Sequence, residues 1–322
     1  MKKACFIVPY FGQFKNYFQL FLNSCKKNPD FDWLFITDSD FNYDVPDNVR
    51  VVKSTFNQVK ERVQSKFTFK VNLSSPYKLC DLKPMYGYIF EDYLVDYPFW
   101  GYCDVDVIWG RISDFVADQE FDKFDKIGDL GHCTFVRNSK SVNRLFMSKL
   151  NGTERYKQVL EDDQNESFDE EYDKSINNIF AEEGLSILPL RQMANIYTKS
   201  SYFRITSLGD NHKYSVGPVI KGFFEWDDGR LLEWYSDHDG PQCKEYMYIH
   251  MQSRDMKNDI SGHNERFKII PNSFENLEFD KVTSKNFDKI KSRHFNLHYF
   301  KLRSYNLFDK TMRALNKHYR DR

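Results

Sequence analysis

The segment that most constrains the fold is residues 99–110, FWGYCDVDVIWG, where an apolar and aromatic run is followed at once by two carboxylates. A continuous run of this kind predicts a strand buried on both faces, as in a parallel sheet covered by helices. If the strand ends near Cys103, then Asp104 and Asp106 leave the sheet at its carboxyl edge, where open α/β sheets bind ligands. Residues i and i+2 of extended backbone point to the same side, so both carboxylates can face one ligand.

Two carboxylates this close repel each other unless a cation lies between them. Mg²⁺ commonly takes one or two carboxylates together with phosphate oxygens, so a divalent ion carrying a phosphorylated ligand suits Asp104 and Asp106. A polar turn after a strand is the alternative explanation of this Asp-x-Asp. A calcium-binding loop is excluded, because the acidic ladder, the central glycine and the terminal glutamate of that motif are missing.

Short apolar runs alternate with segments of helical spacing in the first half of the chain. Strands are predicted over residues 4–8, 33–36, 49–52 and 126–137, and helices over residues 17–25, 56–67, 85–94 and 169–183. This order predicts a mainly parallel sheet with crossover helices. A polar segment, residues 161–167, is expected to be a mobile loop. From residue 185 the pattern becomes β-rich, and Trp226-Asp227-Asp228-Gly229 predicts a hairpin turn.

Size and charge limit the class of protein. A chain of 322 residues suits one large domain, or one domain with an appended piece. The formal charge of −1 argues against a dedicated nucleic-acid binder, which would carry a basic field. Six cysteines without a C-x-x-C pair indicate a reduced, intracellular protein without a structural zinc site.

The last part of the chain has a different character. Residues 285–322 contain 11 Lys/Arg and 3 Asp/Glu, a net charge of +8 (11 − 3). Phe308, Met312, Leu315 and Tyr319 share one face of a predicted helix. This segment suits a helix packed on the body with a solvated basic face, or attachment to an anionic membrane surface.

Three sequence blocks together resemble a known class of enzyme. An early strand and loop, alternating strands and helices, and an Asp-x-Asp after a mid-chain apolar strand resemble glycosyltransferases of the GT-A fold. The blocks FIVPYFG at residues 6–12, PYKLCDLKP at residues 76–84 and FWGYCDVDVIWG at residues 99–110 are similar to a poorly characterised glycosyltransferase-like family. Its members tend to be encoded with bacterial capsule and surface-polysaccharide enzymes. The resemblance covers roughly residues 3–256.

The resemblance implies a GT-A-like (Rossmann-like) α/β domain over residues 1–260, with a mixed, mainly parallel sheet and a β-rich acceptor side. The basic helical tail, residues 285–322, lies outside it. The implied activity is transfer of a sugar from a nucleotide-diphosphate-sugar, with a UDP-sugar expected, to a hydroxyl of a glycan acceptor. Mn²⁺ or Mg²⁺, held by Asp104 and Asp106, would stabilise the leaving nucleoside diphosphate. Such enzymes often add a His after a late strand as third ligand, and His250 has that position.

The resemblance also assigns the donor site. Pro9, Tyr10 and Phe11 are expected to contact the nucleotide base, and Asp38 the base or ribose. Lys78, Asp81 and Lys83 precede the segment that leads to the metal, and one lysine could meet the diphosphate as a point charge. Surface lysines and a capping aspartate are the plain alternatives. Lys257 and Arg254 are further candidates for the phosphates.

Transfer with inversion, slightly favoured over retention, needs a carboxylate that takes the proton of the acceptor hydroxyl. Asp169 and Glu170 are predicted to open a helix after a polar loop, a usual setting for this base in inverting GT-A enzymes. Acids that complement a helix dipole are the alternative. Asp129, beside Gly128, is the second candidate, and His132 could line the acceptor site.

Two other functions compete with this one. A sugar nucleotidyltransferase would normally show a glycine-rich loop with Arg or Lys after the first strand, and Pro9-Tyr10-Phe11-Gly12 differs from that. A non-catalytic carbohydrate- or nucleotide-binding protein would tolerate Asp104→Asn and would need no metal. A cytoplasmic enzyme acting on a lipid-linked oligosaccharide at the inner face of the plasma membrane would give the basic tail a purpose.

Overall fold

A computed structural model describes residues 2–171, 173–197, 202–209, 213–260, 265–292, 297, 300–301, 304, 307–308 and 311. Its strands in chain order are β1 Ala4–Pro9, β2 Phe31–Thr37, β3 Val49–Lys53, β4 Phe99–Cys103, β5 Val107–Trp109, β6 Lys126–Leu130, β7 Cys133–Arg137, β8 Ile187–Leu188, β9 Met193–Ile196, β10 Phe203–Leu208, β11 Tyr214–Ile220, β12 Phe223–Asp227, β13 Arg230–Asp237, β14 Gly240–Tyr246, β15 Tyr248–His250, β16 Lys257–Asn258, β17 Arg266–Ile270 and β18 Ser273–Asn276.

The central sheet has seven strands in the order β3-β2-β1-β4-β7-β6-β8. Strands β1 to β4 run parallel, whereas β7 is antiparallel to both β4 and β6. Strand β1 is buried on both faces: Phe6 stacks on Trp33 on one side, and Ile7 joins a separate apolar cluster on the other. The predicted mixed, mainly parallel α/β sheet with both faces covered is confirmed.

The helices are short. They are α1 Phe18–Lys26, α2 Phe56–Ser65, α3 Tyr86–Ile89, α4 Asp118–Lys123, α5 Arg155–Glu161, α6 Ile176–Glu182 and α7 Phe287–Ile290. Helix α2 begins at a capping box formed by Thr55 and Gln58. The predicted helix 85–94 is largely wrong, because 3₁₀ turns at Pro76–Met85 and Glu91–Tyr93 flank the single α turn of α3. Pro84 cannot donate a helical hydrogen bond, and it lies just before α3.

Two further elements differ from their predictions. Residues 126–137 form the hairpin β6–β7, since Gly131 and His132 turn the chain between the paired Leu130 and Cys133. The helix predicted from Asp169 begins only at Ile176, where the Ser175 side chain accepts the N–H of Asn177 as an N-cap.

Two smaller sheets form the β-rich part of the chain, as predicted. One has the order β11-β10-β9-β15-β5, and the other β14-β13-β12-β17-β18-β16. The predicted hairpin turn is confirmed at Asp228 and Gly229, which have positive φ angles of 47° and 90° between β12 and β13. The chain passes from one of these sheets to the other at Met247, because β14 ends at Tyr246 and β15 begins at Tyr248.

The fold continues beyond residue 260, the predicted end of the domain. Strand β17 pairs with β12, and Phe287 and Ile290 of α7 are buried against Phe223 and Ile270. In the tail, Leu307 and Phe308 are 68% and 65% exposed. Met312, Leu315 and Tyr319 lie outside the described residues. Within the described part of the chain, every helix is too short or too polar to cross a bilayer.

Candidate functional site

The Asp-x-Asp segment connects two sheets. Strand β4 of the central sheet ends at Cys103, as predicted, and residues 104–106 lead directly into β5 of the five-stranded sheet. There β5 pairs antiparallel with β15, so that Val107 lies opposite His250 and the N–H of Met251 donates to the carbonyl of Asp106 at 2.8 Å. The ladder register therefore brings His250 beside the two aspartates.

Asp104, Asp106 and His250 form one cluster. A carboxylate oxygen of each aspartate and a ring nitrogen of the histidine all lie within 4.8 Å of one another. The Nε2 atom of His250 is 3.2 Å from Asp106 Oδ1 and 3.5 Å from Asp104 Oδ2. Two carboxylates and an imidazole are a donor set that Mn²⁺ and Mg²⁺ accept, and Asp104 is open to the cleft described below.

The surrounding groups fix the orientation of these ligands. Asn195 Oδ1 lies 3.1 Å from Nδ1 of His250, which directs Nε2 toward the aspartates. Asp106 accepts the backbone N–H of Ser253. Burial tends to raise the pKa of Asp106, but His250 and the Ser253 N–H lower it to about 2. Burial tends to lower the pKa of His250, but the carboxylates of Asp106 and Asp104 raise it overall.

A buried lysine joins this cluster to a second group of acids. Lys83 Nζ lies 2.8 Å from Asp104 Oδ1, 2.9 Å from the carbonyl of Gly131 and 3.4 Å from Asp169 Oδ2. Burial tends to lower the pKa of Lys83, but Asp104 and Asp169 raise it well above its usual value. Lys83 is therefore a fixed cation between the two aspartates.

Asp169 and Glu170 pack against the turn of the β6–β7 hairpin. The N–H of Gly131 donates to Glu170 Oε2 at 2.7 Å. A Cβ at Gly131 would overlap the Asp169 carboxylate, so the close approach requires glycine. Burial raises the pKa of Asp169 to about 7, Lys83 opposes this shift, and Glu170 adds to it.

These groups face one cleft of about 550 Å³. The sequence-predicted residues that line it are Pro9, Tyr10, Phe11, Lys83, Asp104, Asp106, His132, Asp169, Glu170 and His250. Tyr10 stacks on Phe14 with ring centroids 4.5 Å apart, so it forms a rigid aromatic wall. The structure thus brings together the predicted loop of β1, the two aspartates and the candidate bases.

Other predicted residues lie elsewhere. Lys78 and Asp81 form a buried ion pair, 2.8 Å long, outside the cleft lining. Asp81 also accepts the N–H groups of Glu166 and Phe168, and Lys78 donates to the carbonyl of Gln164. This pair therefore anchors the polar loop that we predicted to be mobile.

Asp38 is exposed just after β2 and outside the cleft lining, and Asp129 is buried against Arg191 at 3.0 Å. Lys257 is exposed and pairs with Asp259, whereas Arg254 is buried and donates to Asn272 and to the carbonyl of Tyr197. Neither of these two cations lines the cleft.

Sequence reasoning did not single out several residues of the site. Asn195, Tyr248, Tyr214 and Lys15 belong to segments that carry no motif, and Tyr77 lies in the block PYKLCDLKP but was given no role. The Tyr248 hydroxyl is 2.7 Å from Nδ1 of His132, whose Nε2 has no partner in the described structure. Positive φ angles of non-glycine residues often mark functional sites, but coordinates are needed to find them. Three residues with this conformation, Ser167 (47°), Gln252 (55°) and Ser253 (54°), line the cleft.

A family model described as a family of unknown function, DUF6625, matches residues 6–278. The comparison with curated proteins found no match. Among solved structures, the galactosyltransferase LgtC in complex with donor and acceptor sugar analogues is similar at a TM-score of 0.34 and 11% identity, over 60% of this chain and 74% of that one. The apo form of the glycosyltransferase GlyE of Streptococcus pneumoniae TIGR4 is similar at 0.31 and 11%, over 58% of this chain and 45% of GlyE.

Proposed function

The chain belongs to the family of unknown function DUF6625, and we propose that it is a metal-dependent glycosyltransferase that uses a nucleotide-diphosphate-sugar as donor. The observation that carries this proposal is the Asp104–Asp106–His250 cluster at a cleft that also holds a buried carboxylate, Asp169. Substitution at an anomeric carbon needs a stabilised leaving group on one side and a proton acceptor on the other. The metal cluster would stabilise the leaving group, and Asp169, which is linked to that cluster through Lys83, would accept the proton.

The donor nucleotide is assigned to the side of the cleft formed by the loop after β1. Tyr10, held by its stack on Phe14, offers a flat surface for a base such as uracil, with Pro9 and Phe11 beside it. The Tyr10 N–H donates to the Ile36 carbonyl of β2 at 3.0 Å, so the end of β2 lies beside the proposed base site. Asp38 directly follows β2 and is therefore the candidate that binds the ribose. A bound Mn²⁺ or Mg²⁺ would neutralise the diphosphate of the donor.

Asp169 is the proposed catalytic base. Its carboxylate takes the proton of the acceptor hydroxyl while that oxygen bonds to the anomeric carbon of the donor. The bond from the anomeric carbon to the phosphate oxygen breaks, and the nucleoside diphosphate leaves. A buried carboxylate whose pKa is raised to about 7 suits this task near neutral pH. We therefore favour inversion, with Glu170 as the second candidate and Asp129, which is held by Arg191, as the third.

Lys83 has a supporting role in this proposal. It is a buried cation bonded to Asp104, to the Gly131 carbonyl and to Asp169. Because its pKa is raised, Lys83 stays protonated. It attracts both carboxylates and so holds the metal cluster and the base in fixed positions.

The experiment that tests the function is thermal stabilisation by nucleoside diphosphates and nucleotide-sugars, with Mn²⁺ and with EDTA. A ligand that binds only the folded state raises the melting temperature by mass action. We expect one nucleotide to stabilise the protein only with metal, and Asp106→Ala to abolish the effect. Asp114→Asn, outside the cleft lining, is the matched control. Product analysis with that donor then separates transfer from simple binding.

Two outcomes would favour the competing functions. Metal-independent stabilisation by sugars or nucleotides, retained in Asp104→Asn, would indicate a non-catalytic binding protein. Release of pyrophosphate from a nucleoside triphosphate and a sugar phosphate would indicate a nucleotidyltransferase.

The acceptor and the setting are a further part of the proposal. We place the enzyme in bacterial capsule or surface-polysaccharide synthesis, in the cytoplasm, with a lipid-linked oligosaccharide as acceptor. The tail supports this, because Leu307 and Phe308 are exposed within a segment of net charge +8. Co-sedimentation with vesicles of anionic phosphatidylglycerol or neutral phosphatidylcholine is the test. Truncation after Ser292 keeps α7 and should abolish binding to the anionic vesicles, whereas unchanged binding would remove the membrane role.

A further inference from the structure

Two exposed tyrosines stand in the lining of the cleft. Tyr77 is 72% exposed and Tyr214 is 48% exposed, yet both border the same cleft as Asp104 and Asp169. A single exposed tyrosine on a protein surface needs no explanation. Two of them at the rim of one polar cleft form accessible aromatic surface where a ligand must enter.

The two tyrosines come from separate elements. Tyr77 lies at the start of the 3₁₀ segment Pro76–Met85, which also carries Lys83. Tyr214 is the first residue of β11, the edge strand of the five-stranded sheet. Their positions are therefore set by the two parts of the fold that meet at the metal cluster.

The fold connects both tyrosines to the candidate base. Tyr77 shares its 3₁₀ segment with Lys83, whose ammonium is 3.4 Å from Asp169 Oδ2. Tyr214 begins the edge strand β11, and the neighbouring strand β10 contacts β6 of the hairpin against which this base packs. Tyr10 belongs instead to the loop after β1, the side assigned to the nucleotide. Aromatic side chains therefore border the cleft both on the nucleotide side and near the base.

We propose that Tyr77 and Tyr214 hold the acceptor as a pyranose, with aromatic rings against its C–H face and its reactive hydroxyl directed to Asp169. The acceptor role rests on the proposed function, whereas sugar binding at this place does not. A pyranose has an apolar face and a rim of hydroxyls, which suits aromatic rings next to carboxylates. The tyrosines are specificity-determining residues in this assignment.

The charges around the candidate base, Asp169, favour a neutral sugar at this place. Asp104, Asp169 and Glu170 are carboxylates, and Lys83 is already bonded to two of these acids. Lys15, the other lysine in the described lining of the cleft, pairs with Asp255. A uronic acid would bring another carboxylate close to Glu170 and Asp169, and like charges at close range are unfavourable. The expected class is therefore a neutral hexose or N-acetylhexosamine.

Ligand-observed saturation-transfer NMR of the full chain is the direct test. The probes are methyl β-D-glucopyranoside and methyl β-D-galactopyranoside, with methyl β-D-glucuronide as the charged counterpart. We expect at least one neutral glycoside to bind, and the glucuronide to bind at least tenfold more weakly. Tyr77→Ala and Tyr214→Ala should each weaken binding at least fivefold. Tyr235→Ala, an exposed tyrosine of β13 outside the cleft lining, is the matched control and should bind as the wild type does.

Circular dichroism melts accompany each variant, so that loss of folding is separated from loss of binding. Tyr77→Phe, which keeps the ring, should bind within twofold of the wild type. Absence of binding by every neutral glycoside, or equal binding by Tyr77→Ala, Tyr214→Ala and the wild type, would overturn the proposal. If glycosides bind at the tyrosines but no nucleotide-sugar binds with metal, the sugar site stands and the glycosyltransferase function fails. If transfer is observed, Tyr77→Ala should raise the acceptor KM at least tenfold and leave the donor KM within twofold.

Discussion

His250 and Asn195 lie opposite each other on the paired strands β15 and β9, with Nδ1 of the imidazole 3.1 Å from the amide Oδ1. The amide Nδ2 of Asn195 donates to the Thr206 hydroxyl, and its Oδ1 is the atom that faces His250. In the Nδ1–H tautomer of the imidazole, this oxygen accepts the Nδ1 proton. The lone pair of Nε2 is left for a cation held with the two aspartates.

Asn195→Ala should weaken Mn²⁺ binding by about 10–100-fold, the usual effect of losing a partner that orients a metal-binding histidine. The affinity is measured by Mn²⁺ electron paramagnetic resonance titration. Asn57→Ala, at an exposed position of α2, is the control and should bind Mn²⁺ normally. Equal affinities for both variants would exclude an orienting role for Asn195.

Lys83→Met should destabilise the fold by about 3–5 kcal/mol, because it leaves the buried Asp169 and the partly exposed Asp104 without their shared cation. Asp169→Asn in the same chain should restore part of the loss. A double-mutant cycle from urea unfolding measures this coupling. Additive effects would show that Lys83 and Asp169 do not interact.

The rate of transfer should rise with pH through about 7 and level off above it, because Asp169 accepts a proton only when ionised. The groups that act on this carboxyl are Lys83, Glu170, Asp104 and Asp81. Glu170→Gln removes a like charge and should move the acidic limb of the profile to lower pH. If the acidic limb of the profile stays in place in this variant, it reports the ionisation of a group other than Asp169.

The raised pKa of Asp169 also makes the free energy of unfolding depend on pH. The pKa of Asp169 is higher in the folded chain than in the unfolded one, where it lies near 3.8. Its protonated form therefore favours folding below about pH 4, and this contribution is lost as the pH rises through about 7. Asp169→Asn should flatten this part of the stability profile measured by urea unfolding.

Asp81→Asn should loosen residues 164–168, because the carboxylate accepts two backbone N–H groups of that loop and pairs with Lys78. Faster limited proteolysis within the loop is the expected result. Asp92→Asn, at an exposed surface ion pair with Arg62, is the control and should leave the cleavage rate unchanged. Unchanged cleavage of the Asp81 variant would show that other contacts fix the loop.

Local apolar patterns sufficed to predict the sheet and the end of β4. The run before Asp104 is long enough to identify a buried strand, and a strand end fixes where the next carboxylates emerge. The hairpin at Asp228 was equally predictable, since its turn residues are local. The turn at Gly131 was missed, because a glycine within an apolar run also suits a continuous strand.

The partners of the site residues could not be predicted in this way. Lys78 and Lys83 lie in one short block, yet one is bonded to Asp81 and the other to Asp104. Which of them faces the cleft depends on the 3₁₀ geometry of Pro76–Met85, and hydrophobic periodicity does not reveal it. Asn195, Tyr77 and Tyr214 are likewise brought to the site only by strand pairing and packing.

Asp104 extends from the central sheet, whereas His250 ends a strand of the five-stranded sheet, 146 residues later in the chain (250 − 104). A cation bound by both would act as a mechanical cross-link between the two sheets. Shear between them would then empty the site, and a donor that tightens cation binding would stiffen the junction. Slower amide exchange along β5 and β15 is the expected sign of that stiffening.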